Sequence, residues 1–383
     1  MEKGRFRSGV VFLESTVNSS VRASVNSVKN RLRKLFDKNG FRYGPPYGIV
    51  VVLSGGVEKR LEELSGEFDE RVIFLCPLVN NSVAAVLESR VLREYDILIP
   101  PSMFRSFTQV LEFFSLRKRV KRFEWAFWLG GSEKVPQGVL EVMNVEVEEE
   151  KIEEIWKRFG NAKEEVDVVF KAYPTVEEDE LYASVRLYNS LKEWFEKYDL
   201  VTANCFKFLD RGVTACFSAF LAEKFVCEGD LQVAVNWLIV ENFGYKPFMA
   251  NLTDFDGESA SFAHCTVPKS IVDNVVLTTH YESGKSVGIK GELKGEDFVV
   301  FRIEFINRKV LLRKAKKIEK NWQSNACRTQ IHLAFDKTFK PLNCSHYLII
   351  PCFSSDKCSY LYSQLKLAID ILSFMTGEKY DMV

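Results

Sequence analysis

Residue types able to hold a divalent cation recur in one order along the second half of this chain. Cys227-Glu228-Gly229-Asp230 places an acid where an apolar helix opens. Asn251 ends the next apolar segment, Phe248-Met249-Ala250-Asn251, and His264 ends the one after it, just before Cys265. A further candidate, His346, comes late in Ser345-His346-Tyr347. The chain has only four histidines, His264, His280, His332 and His346, and two of them fall where a metal site would want them. Carboxylate and amide oxygen together with imidazole nitrogen suit Mn2+ or a similar divalent ion. Asp254 and Asp256, close behind Asn251, stand in reserve as carboxylates.

The elements that must position these residues read as follows. Up to about residue 150 the chain alternates apolar strands (Gly9 to Leu13, Gly48 to Leu53, Val72 to Cys76, Asp96 to Pro100, Phe123 to Phe127) with amphipathic helices (Ser20 to Asp37, Ser82 to Glu94). Continuous apolar strands between helices argue a parallel sheet covered on both faces. Ligands in such sheets sit beyond the carboxyl ends of strands, where Ser54-Gly55-Gly56 and Asn80-Asn81-Ser82 fall. The charged stretch Glu146 to Lys157 reads as a helix. The acidic block Glu177 to Glu180 opens another, since negative charge suits a helix N-terminus. Leu200 to Asn204 is a strand and Leu231 to Val240 a helix. From about Ser259 strands and turns take over, and a helix from roughly Tyr360 to Met375 closes the chain. The fold class expected is α/β, with N-terminal parallel-sheet, Rossmann-like layers over residues 1–160. A C-terminal α+β domain, 161–383, carries a β-rich, barrel-like module.

Composition narrows the function classes. Lysine plus arginine equals aspartate plus glutamate, 52 each, so nothing in the total charge favours nucleic acid or an acidic membrane as partner. The basic run Arg117-Lys118-Arg119 with Lys121 and Arg122 reads as a solvated element end. No apolar run approaches a membrane span, and Val10 to Leu13 is too short for a signal peptide. The nine cysteines have no regular spacing, which suggests reduced thiols in a cytoplasmic protein rather than a disulfide framework. Ser54-Gly55-Gly56 lacks the glycine spacing of a dinucleotide loop and the lysine of a phosphate loop.

Taken together, these stretches resemble the L-fucose isomerase / L-arabinose isomerase superfamily, most closely its compact fucose-isomerase-like members. Ser54-Gly55-Gly56-Val57-Glu58 is similar to the family's Thr-Gly-Gly-Thr-Glu turn, and Asn81-Ser82-Val83-Ala84-Ala85-Val86-Leu87-Glu88 to its Asn-Ser-x-x-Ala-x-x-Glu helix start. Trp128-Leu129-Gly130-Gly131-Ser132, Asn204-Cys205-Phe206, Cys227-Glu228-Gly229-Asp230, Phe248-Met249-Ala250-Asn251 and His264-Cys265 follow in the family's order. The resemblance implies a metal-dependent aldose–ketose isomerase working through an enediol on a small-molecule sugar, assembled as a homotrimer or homohexamer. It implies Glu228 as ligand and acid/base group, with His264, His346 and Asn251 completing a Mn2+ site and Asp254 as a reserve carboxylate. Ser54, Gly55, Asn81, Ser82 and Trp128 are expected to face substrate, and Arg328 to hold a sugar hydroxyl or a phosphate.

The sequence departs from the family where its second carboxylate falls on Asn251, which can ligate but cannot act as a base. The segment after His346 also lacks the family's second histidine and Gly-Asp. An alternative reading is therefore a catalytically impaired, sugar-binding member. Simpler readings of single residues stand beside these. Glu228 suits a helix N-terminus, His264 and His346 suit satisfied core histidines, and His332 suits a structural role. His280 suits a structural or substrate-facing role.

Overall fold

The computed structural model describes residues 8–15, 19–78, 81–94, 96–124, 134–160 and 176–383. Two units divide the chain. The first comprises Met1–Leu116, Val142–Asn144 and Leu367–Glu378, and the second Arg117–Glu141, Val145–Lys366 and Lys379–Val383. This division passes elsewhere than the expected boundary after residue 160.

In the first unit, β1 (Gly9–Leu13), β2 (Arg42–Tyr43), β3 (Tyr47–Val52), β4 (Phe68–Leu75) and β5 (Ile97–Ile99) form one parallel sheet in the order β2-β1-β3-β4-β5. Helices α1 (Ser19–Lys38), α2 (Glu58–Leu64) and α3 (Ser82–Glu88) intervene, and α4 (Phe104–Ser115) follows β5. Both faces are covered. Leu61 and Val86 pack with Val50, Val52 and Phe74, while Phe36 meets Phe12 on the other side. That is why the strands read as unbroken apolar runs. The chain between β2 and β3 passes so close to β1 that a Cβ on Gly9 would meet the Gly44 carbonyl oxygen at 1.7 Å, so only glycine fits there.

The second unit opens with another parallel sheet, in the order β7-β6-β8-β9, made of β6 (Lys118–Glu124), β7 (Val145–Lys151), β8 (Leu200–Ala203) and β9 (Phe225–Val226). Helices α5 (Gln137–Met143), α6 (Glu153–Phe159), α7 (Glu178–Lys197) and α8 (Cys216–Ala222) lie between these strands in sequence. Two sequence expectations change here. The basic run is a strand rather than an element end, and the first half of Glu146 to Lys157 is its parallel neighbour rather than a helix. The pairing explains both. Arg119 meets Glu148 at 3.1 Å, Arg122 meets Glu149 at 3.0 Å, and Lys121, 2% exposed, lies between Glu148 and Glu150. Opposite charges across a ladder stabilise it, a pattern visible only once the strands are paired.

Beyond these lies the β-rich module. Its strands are β10 (Phe248–Phe255), β11 (Ser259–His264), β12 (Val272–Thr279), β13 (Val287–Leu293), β14 (Asp297–Glu304), β15 (Lys309–Lys317), β16 (Thr329–Phe335), β17 (His346–Pro351) and β18 (Asp381–Met382). Strands run antiparallel in the order β14-β17-β10-β11-β16-β15, and β15 pairs back with β14 to close a six-stranded barrel. β12 and β13 form a separate antiparallel pair, and β18 adds to β15. Alternate residues fill the barrel, among them Phe248, Ala250, Phe262, Val300, Ile331 and Ile349. Closure removes exposed strand edges.

Helix α9 (Leu231–Asn242) is buried from Leu231 to Val240. Its polar side chains meet the far end of β14, beyond the last β14–β17 pair, Phe301 with Leu348. Asn236 Nδ2 donates to the Ile303 carbonyl at 3.0 Å, its Oδ1 accepts the Ile303 N–H at 2.8 Å, and Gln232 Oε1 accepts the Phe305 N–H at 2.9 Å. These contacts satisfy buried backbone groups and pin the start of α9 to the barrel. Between β17 and β18 lies α10 (Ser355–Thr376). No helix among the described residues is long and apolar enough to cross a membrane. Seven cysteines are free, and Cys352 and Cys358 form one local disulfide that the sequence reading did not anticipate.

Candidate metal centre

Three elements of the second unit converge at one end of the barrel. Cys227–Gly229 is a tight turn ahead of α9. Within it Glu228 holds φ 61° and ψ 11°, and Gly229 follows at φ 69°. A left-handed non-glycine residue costs roughly 1–3 kcal/mol and tends to mark a functional position. Asp230 is the N-cap of α9, its Oδ1 accepting the Val233 N–H at 2.9 Å. His264 is the last residue of β11 and His346 the first of β17, on either side of β10 in the sheet.

Donor atoms of Glu228, His264 and His346 all lie within 4.8 Å of one another. His346 Nε2 is 3.2 Å from Glu228 Oε2, off the direction of a hydrogen bond, so the nitrogen has no hydrogen-bond partner. The same is true of His264 Nδ1, which is also buried. Buried imidazole nitrogens without partners carry a desolvation cost that a cation between them would offset. A carboxylate and two imidazoles are a donor set for Mn2+, Fe2+, Co2+ or Zn2+. The residues present therefore fit a divalent ion.

A second layer backs this one. On its other side, His346 Nδ1 lies 3.2 Å from Asp230 Oδ2, and Arg302 Nη2 approaches the same oxygen at 3.6 Å. Burial alone would lower the pKa of His346, but the hydrogen bond to Asp230 and the close carboxylate charges of Glu228 and Asp230 raise it to about 9. Burial would raise Asp230, yet Arg302 and then His346 hold it at about 2. Glu228 is likewise kept below the usual carboxylate range, the pull of His346 outweighing burial. His264 goes the other way: burial pushes it down to about 4, so it is neutral at pH 7. At neutral pH, then, two carboxylates are balanced by one guanidinium and one imidazolium.

The remaining sequence candidates are placed as follows. Asn251 is the direct cross-strand partner of His346 and, on its other side, of Ala263. Asp254 lies past a bulge in β10, is exposed, and pairs with Lys320 at 3.0 Å rather than turning to the histidines. Asp256 caps its own turn, accepting the Glu258 and Ser259 N–H groups. Arg328 Nε donates to the Thr279 carbonyl at 2.9 Å, and its charge helps burial push His280 down to about 4. The charge of Glu228 reaches both His280 and Glu282, in the connection between β12 and β13. His332 is engaged with Ser261 Oγ at 2.7 Å. Cys227 and Cys265 flank the ligand set without belonging to it. Ser54, Gly55, Asn81 and Ser82 belong to the first unit. There Ser54 Oγ accepts the Ser15 N–H at 2.8 Å, and a Cβ on Gly55 would meet Asn81 Cβ at 2.7 Å. Ser82 begins α3. Asn80 and Trp128 lie outside the described residues.

Asp230 and Arg302 escaped the sequence reading. Signals existed for both. An aspartate directly before an apolar helical run is an N-cap pattern. An arginine inside Phe298 to Phe305 interrupts an apolar strand and calls for a buried partner. No protein-family model matches the chain, and no curated protein matches it.

Proposed function

We propose that this chain is a divalent-metal-dependent aldose–ketose isomerase of the L-fucose isomerase / L-arabinose isomerase type. The observation that carries the reading is the convergence of Glu228, His264 and His346 within 4.8 Å, on residues the family resemblance also singles out. The parallel order of the first sheet supports the Rossmann-like reading of the N-terminal layers. Seven free cysteines beside one local disulfide are the support for a cytoplasmic location, and the resemblance carries a homotrimeric or homohexameric assembly with it.

Moving hydrogen between C1 and C2 of an aldose needs a base at carbon, a proton donor at oxygen and stabilisation of the enediolate. Held by Glu228, His264 and His346, a divalent ion supplies that stabilisation as a Lewis acid. Glu228 is ionised and its side chain is 27% exposed, so it is the one group of the three open to a substrate. His280 and Glu282, which the Glu228 charge reaches, and Arg328, whose charge acts on His280, are the proposed donors and acceptors for sugar hydroxyls.

A second reading is a sugar-binding protein of the same type that has lost turnover. It is favoured by Asn251, which stands beside His346 where the resemblance puts a second carboxylate and which cannot take a proton. One experiment separates the two: metal content of the purified protein, then isomerisation of a panel of aldoses with added Mn2+. Bound metal with turnover supports the isomerase. Bound metal without turnover supports the second reading, and absence of both at high Mn2+ refutes the metal centre.

A further inference from the structure

The two histidines of the centre are not equivalent. His264 Nδ1 is buried and has no hydrogen-bond partner, so no side chain dictates its tautomer. His346 Nδ1 faces Asp230 Oδ2 at 3.2 Å, with the ring 4% exposed. An ionised carboxylate accepts hydrogen bonds and donates none, and the Ser345 hydroxyl 3.3 Å from the same nitrogen can accept too, so the Asp230 charge favours a neutral imidazole with its hydrogen on Nδ1 and Nε2 as the lone-pair nitrogen. Nε2 is the nitrogen on the Glu228 side, 3.2 Å from Oε2.

Asp230 is itself held from two directions. Its Oδ1 is tied to the first turn of α9 through the Val233 N–H, which fixes the carboxylate plane. Behind Oδ2 stands Arg302, 2% exposed, whose Nη2 is 3.6 Å away. Arg302 Nε and Nη1 make no other hydrogen bond, so its charge is not shared with a competing acceptor through those atoms. A guanidinium cannot lose its proton in a protein, so it is a permanent counter-charge for a carboxylate in a water-poor place.

We infer that Asp230, backed by Arg302, is the positioning residue of this centre: it orients the His346 ring and commits Nε2 to the cation. The inference rests on the metal reading above. An outer carboxylate that fixes a ligand histidine contributes about 10- to 100-fold in metal affinity. Asp230→Asn tests this role while keeping the helix cap. Asparagine is as good an N-cap as aspartate, so α9 keeps its first turn, while the carboxylate is replaced by an amide that presents either a donor or an acceptor to Nδ1.

The test uses the full chain and Zn2+ alone as probe. Affinity is measured by competition with a chromophoric chelator for the wild type and Asp230→Asn, with thermal melting of the metal-free proteins as the check on folding. The 15N and 1H shifts of the histidine rings are recorded for the Zn2+-loaded wild type. The expected result is binding weaker by about 10- to 100-fold at pH 9, where proton competition for His346 is largely removed, in a variant that folds with a lowered melting temperature because Arg302 loses its counter-charge, with His346 protonated at Nδ1 and coordinated through Nε2. Equal affinity in a folded variant, or coordination of His346 through Nδ1, overturns the positioning role while leaving the metal centre standing. If Asp230→Asn does not fold, the ring nitrogen that binds Zn2+ in the wild type decides the matter. Failure of the wild type to bind Zn2+, Co2+ or Mn2+ removes the metal reading and this inference with it.

Discussion

Loading the metal-free protein with a divalent cation at pH 7 is expected to release close to one proton per site. His346, between Asp230 and Glu228, has its pKa raised to about 9, whereas His264 is pushed down to about 4 and Glu228 below the usual carboxylate range. Of the three ligands only His346 therefore holds a proton that a metal must displace. At pH 7 about 99 in 100 molecules carry it, so the apparent affinity lies about 100-fold, or about 2.7 kcal/mol, below its limit. Affinity should climb roughly tenfold per pH unit from 7 to about 9 and flatten above. Calorimetric titration with Mn2+ or Co2+ in two buffers of unlike protonation enthalpy reads the proton count directly. A count near zero at pH 7, or an affinity flat from pH 7 to 9, would refute the imidazolium assignment. The same group governs stability without metal. Its pKa is raised in the fold, so its contribution, at most about 3 kcal/mol, is fully present below pH ~6.5 and is lost as pH rises through about 9. The shift of Glu228 reflects the same contact and does not add to it, whereas Asp230 is lowered first by Arg302, and that part of its contribution is present above pH ~3.8 and lost as pH falls through about 2. His264 and His280, both held near 4 by burial first of all, act oppositely: the unfolded chain binds more protons between about pH 4 and 6.5, so stability falls as pH drops through that window.

Other outcomes follow from particular contacts. Glu228→Gln keeps shape but removes charge and basicity, and is expected to abolish turnover and weaken metal binding by at least about tenfold; retained turnover in that variant would rule Glu228 out. Asn251→Asp places a carboxylate directly across from His346 and is expected to tighten Mn2+ binding by about tenfold, while an unchanged affinity would mean that position 251 does not reach the ion. Asn236→Ala strips both hydrogen bonds from the Ile303 backbone and should cost about 2–4 kcal/mol in urea unfolding; a loss under about 0.5 kcal/mol would show that α9 is not pinned there. Lys121→Met leaves Glu148 and Glu150 facing each other without their shared cation, and lower stability at low salt that recovers at high salt is the expected signature. No salt dependence would argue against it.

Much of this molecule is legible residue by residue. The apolar runs Ile49 to Leu53 and Val72 to Cys76 announce buried parallel strands, Leu231 to Val240 announces a buried helix, and the change of texture after Ser259 announces the β-rich module. Those features are local, set by side-chain period and by where glycine and acids interrupt it. Glu228, His264 and His346 stand out because rare residue types fall at the ends of such runs, and element ends are where distant segments meet. What escaped the sequence depends on pairing. Glu146 to Lys151 has the charge density of a solvated helix and becomes a strand only because β6 offers it a complementary row of lysines and arginines. Barrel closure through β14 and β15 requires six registers to be satisfied at once. The division of the chain after Leu116, with a return at Leu367–Glu378, is likewise a property of packing.

Along the chain, then, residue type and spacing alone determined the α/β texture, the β-rich second half and the short list of metal-ligand candidates. Only the tertiary structure decided which of them converge. It brought Glu228 within 4.8 Å of two histidines, turned Asp254 out to Lys320, and brought His346 and Arg302 onto one oxygen of Asp230. The physical reason is range. Hydrophobic period and capping act within a few residues and leave a mark in the sequence. Burial of a charge is tolerated only when a partner from a remote strand meets it, and that partner is known only after the barrel has closed.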